Sequence, residues 1–346
     1  MDKAGPKRSV ALTPLVAHVV IGSTALGEDG QGYQLLAERF GLKRSPAWPT
    51  WQATVNELRR ELEALQDMSQ RVKDRLFAET NCLSSASWIC KEGHALLLEF
   101  CIAKRGFTSI NVLSAAGRAL LHIAAKYGRG EVTRRLLAHG ATVDLEDHFG
   151  RTALHLAAKF GNTFVARVLL EHGAKIDRRG VFKNTPLHSA AKHRSEAMVE
   201  VLLNNGAEIN AANEAGWTAL MIAATGDDGG VVADIELMQL LIRRGANVDA
   251  RSNTGTTALI LAACQKNADA IELLLDNGAD VDAQDSCTAL MAAVWADNLP
   301  VARMLLRYGA DVTKRDNDGD TALAQALHCN DAVKEEMCDL LRRYGA

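Results

Sequence analysis

From residue 111 onward the chain alternates short apolar runs with polar turns at a fixed beat. In "GRTALHLAAKFGNTFVARVLLEHGA", running from Gly150 to Ala174, the first run carries Ala153, Ala157 and Ala158. Residues that small let a short helix approach its neighbours closely. The second run places Val165, Val168, Leu169 and Leu170 on one face of a second helix. Gly173 falls just past it, where a left-handed residue can end a helix. Polar "AKIDRRG" follows and predicts an extended crossing to the next helix pair.

The pattern recurs. Threonine opens the first helix at Thr152, Thr185, Thr218, Thr257, Thr288 and Thr321, with Ala119 in the same slot of an earlier copy, and the steps are 33, 33, 33, 39, 31 and 33 residues. The closing Gly-Ala recurs at Gly140, Gly173, Gly206, Gly245, Gly278, Gly309 and Gly345, which gives seven copies. One such unit cannot bury its own apolar face, whereas stacked copies bury each other's. The period, "TPLHSAAK" at Thr185–Lys192 and the recurring "LL-x-x-GA" resemble the ankyrin repeat family over Asn111 to Ala346. The resemblance implies an all-α ankyrin-repeat solenoid of helix pairs with hairpin-like loops, preceded by an N-terminal helical region. It also implies that partners lie across the hairpin tips and inner helices, on the concave side.

Ahead of the array, residues 81–110 read as a degenerate capping repeat, with Gly93-His94 and Gly106 at repeat-like places. Residues 1–80 carry no recognised family pattern and read as an N-terminal helical region. Within it, "TWQATVNELRRELEALQDMSQRVKDRLF" predicts a helix over 50–78, with Glu57 placed to complete a capping box. Its apolar spacing fits packing against neighbouring helices or self-association as a coiled coil, though Ser69 spoils one core position.

Composition narrows the class. Net charge is -3 over 346 residues, so no global basic excess points to nucleic acid. Seven cysteines at irregular spacing, without a CxxC pair, fit free thiols in a reducing compartment, which places the chain inside the cell, in cytoplasm or nucleus. A second reading takes residues 1–25 as an export signal, because Lys3, Lys7 and Arg8 precede an apolar run ending in "STA". Pro14, His18 and the unpaired thiols weigh against it. No stretch approaches the roughly 18 unbroken apolar residues of a membrane span.

Candidate chemistry thins on inspection. His122, His155 and His188 form a column at one repeat position, but helices pack about 8–10 Å apart and a zinc–nitrogen bond is about 2 Å. One ion cannot join successive copies, so the histidines are expected to tie turns together by hydrogen bonds. The fourth copy's insertion, with Gly226, Asp227, Asp228, Gly229 and Gly230, lacks both the phosphate-loop and calcium-loop spacings and reads as a surface loop. Asp316, Asp318 and Asp320 alternate as in a calcium loop, yet coincide with the repeat's own turn. No catalytic motif occurs, and no cofactor or metal is expected.

The reading is a non-catalytic protein-interaction scaffold. Lys126, Lys159 and Lys192 recur 33 residues apart, Arg118 and Arg151 flank the tips, and Tyr127, Phe149, Phe160 and Phe182 stand beside them. Trp217 and Trp295 come later, followed by an acidic end at Asp285, Asp316, Asp318 and Asp320. Such polarity orients a partner segment of opposite charge order. The alternative is an enzyme or small-molecule binder, with a pocket between the N-terminal helices and the concave face and with His18, Tyr33, Glu38, Trp51, His94 and His122 as its groups.

Overall fold

The computed structural model describes residues 82–95, 98, 102, 110–114, 117–225 and 233–346. The expected 50–78 helix, the 1–25 segment, Gly106 and the 226–230 glycine-rich loop lie outside the described residues. The chain divides into two compact units, the first ending at Thr142 and the second running from Val143 to Ala346.

In the first unit, α1 (Cys82–Glu92) packs on α2 (Leu120–Lys126), and α2 packs on α3 (Gly130–Ala138). The side chain of Arg129 ties this arrangement, its Nε donating to the Lys91 carbonyl at 2.8 Å.

Among the described residues, the second unit contains six helix pairs. They are α4 (Ala153–Lys159) with α5 (Thr163–Glu171), α6 (Pro186–Lys192) with α7 (Glu196–Asn204), α8 (Ala219–Thr225) with α9 (Ile235–Arg243), α10 (Ala258–Cys264) with α11 (Ala268–Asp276), α12 (Ala289–Trp295) with α13 (Leu299–Arg307), and α14 (Ala322–Ala326) with α15 (Asp331–Arg343). First helices pack on first helices in order, α4 on α6 through to α12 on α14, and second helices likewise from α5 to α15. Two helical layers result. Among the described residues, extended pairing is limited to two isolated bridges, Gln284 with Thr288 and Arg315 with Thr321.

Small residues make the first layer close-packed: Ala153, Ala157 and Ala158 are buried, as are Ala190, Ala191, Ala262 and Ala263. The second layer supplies the larger groups. Val165, Val168 and Leu169 of α5 are buried as the pattern predicts, but Leu170 is only half-buried and Ala166 takes the inner place. At 3.6 residues per turn, Leu170 falls off the centre of the stripe that Val165, Ala166 and Leu169 share.

Polar clasps join successive copies. In each inter-repeat loop an Asp or Asn side chain accepts the backbone N–H at the start of the following loop. Asp144 takes the N–H of Lys175 at 3.1 Å, Asp177 that of Glu208, Asn210 that of Asn247 and Asp249 that of Asp280. Otherwise unpaired backbone donors are thereby satisfied where loops cross from pair to pair.

Candidate functional site

The hairpin tips are built from one local device. Asp147 sits five residues before the α4 threonine cap, and its Oδ1 accepts the N–H groups of Phe149 and Arg151, each at 2.9 Å. Its Oδ2 receives Arg151 Nε at 3.0 Å and Nη2 at 2.7 Å. Burial pushes the Asp147 carboxyl upward, but the Arg151 side chain and the two backbone donors outweigh it and hold the group below the usual carboxylate range. Asn213 repeats the device with the N–H groups of Ala215 and Trp217, and Ser252 does so with Thr254 and Thr256.

Asp316 organises the last tip in the same way. One of its oxygens accepts the N–H groups of Asp318 and Asp320, and the other accepts Gln325 Nε2 at 2.7 Å. The alternating aspartates are therefore a turn whose leading carboxylate is already engaged. No group of three or more His, Cys, Asp or Glu side chains is arranged to hold a metal among the described residues.

The third tip departs from the others. Gly180 holds the Asp147 position, and a Cβ there would lie 3.2 Å from His155 Nε2 and 3.3 Å from the Gly150 carbonyl oxygen. A side chain there would be tight and glycine offers no acceptor, and Lys183 stands where the neighbouring tips have the left-handed Gly150 and Gly216. The tip closes instead as a 3-10 turn, Val181–Lys183, with Phe182 at φ 54° and Lys183 at φ 55°. Two successive non-glycine residues in this region are strained. The turn is braced by the Glu214 N–H, which donates to the Phe182 carbonyl at 2.8 Å.

The histidine column does what its position predicts. Thr152 donates its backbone N–H to His155 Nδ1 at 3.2 Å, and His155 Nε2 reaches the Asn184 carbonyl of the next tip at 3.0 Å. Thr185 and His188 repeat this toward the Trp217 carbonyl at 2.9 Å. His122 accepts the Ala119 N–H at 3.3 Å in the first unit. In later copies, where Met221, Ile260, Met291 and Ala324 replace histidine, the threonine hydroxyl itself caps the first turn of its helix.

The candidate binding residues fall in three settings. In the first unit, Lys126 ends α2 and lies 5.0 Å from the ring centroid of the exposed Tyr127, with Lys91 at 5.6 Å. Arg118 is half-buried there and donates its backbone N–H to Ser114 Oγ. In the second unit, Phe149 is 56% exposed with the Arg151 guanidinium 4.7 Å from its ring, and Phe160 is 45% exposed with Lys159 at 5.7 Å. Phe182 is 68% exposed, and Lys192 is exposed at the end of α6. Trp217 is half-buried, with its backbone engaged by Asn213 and His188. Trp295 ends α12 and is 78% exposed, in the helix position that Lys159 and Lys192 hold in α4 and α6. Phe164, not anticipated as a surface group, is also exposed on α5. It follows a helix-opening threonine in a strongly apolar run, a context in which sequence assigns phenylalanine to the core.

Of the residues expected for an enclosed pocket, His18, Tyr33, Glu38 and Trp51 lie outside the described residues. His94 stacks at 5.4 Å on Trp88, and His122 is engaged at the start of α2, so these two serve separate local contacts. Among the described residues no helix is long and apolar enough to cross a membrane.

Comparison with known proteins agrees with this architecture. A profile described as ankyrin repeats (3 copies) matches residues 86–180 and 230–316, and one described as ankyrin repeats (many copies) matches residues 169–223. No curated protein matches the chain. Among solved structures, the chain is similar to the ankyrin repeat domain of Bcl-3, described as a unique member of the IkappaB protein family. That match has 31% identity and a TM-score of 0.56, and covers 65% of this chain and 99% of the other. It is also similar to the human ASB11 ankyrin repeat domain, at 29% identity and a TM-score of 0.55, over 66% of this chain and 99% of the other. Ankyrin repeats generally mediate protein–protein interaction.

Proposed function

We propose, from the premise that this chain belongs to the ankyrin repeat family, that it is a non-catalytic interaction scaffold. It holds a segment of a protein partner along the first-helix layer and the adjoining tips, the side expected to be concave. The observation that carries the reading is the placement of Phe149, Phe160 and Phe182. These are large apolar groups left outside a core filled by alanine, leucine, valine and methionine. Burying a phenylalanine stabilises by roughly 1.5–3 kcal/mol, so leaving three of them in water forgoes a sizeable gain unless a partner covers them. The cations beside the rings add a polar margin of the kind that surrounds hot spots. Arg118, Lys126 and Tyr127 are proposed by themselves as partner contacts of the first unit.

The test is chemical cross-linking and mass spectrometry of partners retained by the full-length chain in native lysate. Wild type is compared with Phe149→Ser/Phe160→Ser/Phe182→Ser. Loss of specific cross-linked partners in the variant, with an unchanged thermal melt, is the expected outcome. An unchanged partner set removes the reading.

A further inference from the structure

Residues 111–346 contain four phenylalanines, Phe149, Phe160, Phe164 and Phe182. All four are exposed, and all lie within the first two helix pairs of the second unit. Phenylalanine is ordinarily among the buried residue types, so a region that leaves every copy exposed is unusual. The second and third tips touch: a Cβ on Gly150 would lie 3.8 Å from the Gly180 Cα. Phe149 and Phe182, one on each tip, therefore project from neighbouring turns. Phe182 does so from a backbone that two left-handed non-glycine residues hold under strain.

Cations predominate at the exposed tips and first-helix ends of these two repeats, and the exposed Glu214 of the following tip contacts Phe182 through its backbone N–H. Lys183 and Lys192 are exposed, and among the described residues neither ammonium group has a hydrogen bond or ion pair. Of the carboxylates in these two repeats, those of the tips and inter-repeat loops are engaged, while Glu171 and Glu196 are exposed on the second helices and Glu214 is exposed on the next tip. Asp147 is buried against Arg151 and its own turn, Glu146 pairs with Arg178 at 2.6 Å, and Asp144 and Asp177 each clasp the following loop. What the third tip and the end of α6 offer to a partner is the exposed Phe182 ring together with the Lys183 and Lys192 ammonium groups.

Resting on the reading of this surface as a protein-binding site, we infer that the partner segment it takes is acidic. Aspartate or glutamate meets Lys183 and Lys192, and apolar side chains cover Phe149 and Phe182. A basic segment would leave both lysines facing like charge. A nucleic-acid strand would stack on the same rings, but the chain's net charge of -3 and its acidic far end oppose a polyanion that continues past these repeats.

The experiment titrates the full-length protein with fluorescein-labelled peptides about twelve residues long, enough to cross two helix pairs when extended. One is Glu/Asp-rich with leucine at every fourth position, one replaces its acids with lysine, and one keeps the acids without leucine. A single-stranded RNA of equal length is the fourth probe. Expected is salt-sensitive binding of the acidic leucine peptide, weakened about tenfold or more by Lys183→Glu/Lys192→Glu and by Phe149→Ser/Phe182→Ser. These variants should keep the wild-type melting temperature. The lysine peptide should not bind, and the leucine-free peptide should bind more weakly.

Binding of the lysine peptide or the RNA as tight as that of the acidic peptide overturns the inference. So does acidic-peptide binding indifferent to the lysine reversals. A dimer in sedimentation velocity that Phe182→Ser abolishes, with no peptide bound, assigns the surface to a second copy of the chain and overturns it too. If the phenylalanine variants lose cross-linked partners while no acidic peptide binds, the scaffold reading stands and only the acidic partner falls. If neither occurs, both fall.

Discussion

His155 Nε2 lies 3.0 Å from the backbone carbonyl oxygen of Asn184, 29 residues further along the chain. Because His155 Nδ1 accepts the Thr152 N–H, the ring proton sits on Nε2 and is donated to that carbonyl. One neutral imidazole thus caps its own helix and pins the next tip. His188 does the same between Thr185 and Trp217.

This arrangement makes stability pH-dependent in a defined direction. Burial holds both imidazoles below the usual histidine range, against a partial upward pull from the carbonyls they face. The unfolded chain then takes up protons at a higher pH than the folded one, so stability is fully present above about pH 6.5 and declines as pH falls below it. Urea midpoints measured between pH 7.5 and 5 should decrease over that range. A His155→Leu/His188→Leu variant should be less stable at pH 7.5, by about 1–3 kcal/mol per site, with a shallower pH dependence. Equal slopes in the two proteins would falsify the assignment.

Asp147 predicts a loss in the same direction, in a lower pH window. Its depressed carboxyl contributes stability that is present above about pH 4, the unfolded value, and is lost as pH falls through the lower folded value. Replacing Asp147 with Asn should destabilise by about 1–3 kcal/mol, because the amide cannot accept the paired Arg151 donors. Arg151→Ala should also destabilise and should raise the carboxyl's pKa, observable by NMR titration.

Two glycines with nearly equal backbone angles separate strain from contact. Gly216 has φ +80° and Gly278 φ +83°, yet a Cβ on Gly216 would sit 2.5 Å from the Asn253 backbone nitrogen, whereas one on Gly278 meets nothing within 4 Å. Gly278→Ala should cost about 1–2 kcal/mol from the left-handed backbone alone. Gly216→Ala should cost at least about 1 kcal/mol more, because it also forces apart the tips joined by the Asn253 N–H and the Ala215 carbonyl. Thermal melts of the two variants compare them directly.

Lys183→Gly sets stability against binding. Relief of the left-handed lysine at φ 55° should outweigh the added freedom of the unfolded chain, for a net gain of up to about 1 kcal/mol. The same change removes an ammonium group from the proposed partner surface and should weaken acidic-peptide binding. A variant that is both less stable and a tighter binder contradicts both arguments.

The beat of "T-x-L" and "GA" made the helix pairs and their stacking legible, because a unit that cannot bury its own apolar face has only its neighbours to bury it. The histidine column was legible for the same reason. A residue at one repeat position sees one environment, and the spacing of packed helices already ruled out a shared metal. The alternating aspartates near Asp316 were read correctly as a turn, because they fell where every other copy turns.

What the sequence could not determine was which apolar residues of an element would be left outside the core. Phe164 and Leu170 are apolar letters in one helix, and only the packing of α5 against α4 and α7 left the first exposed and the second half-buried. The third tip is the clearest case. Gly180 looks like a turn residue in isolation, but its lack of a side chain answers to His155 and Gly150, which the fold brings against it. With no side-chain acceptor at Gly180, this tip closes with Phe182 and Lys183 both in left-handed backbone, and Phe182 is the most exposed phenylalanine among the described residues. Period and composition dictate local helices and their stacking. Contacts between residues about thirty positions apart decide which side chains are left over for a partner, because steric exclusion acts in space and leaves no mark on the local pattern.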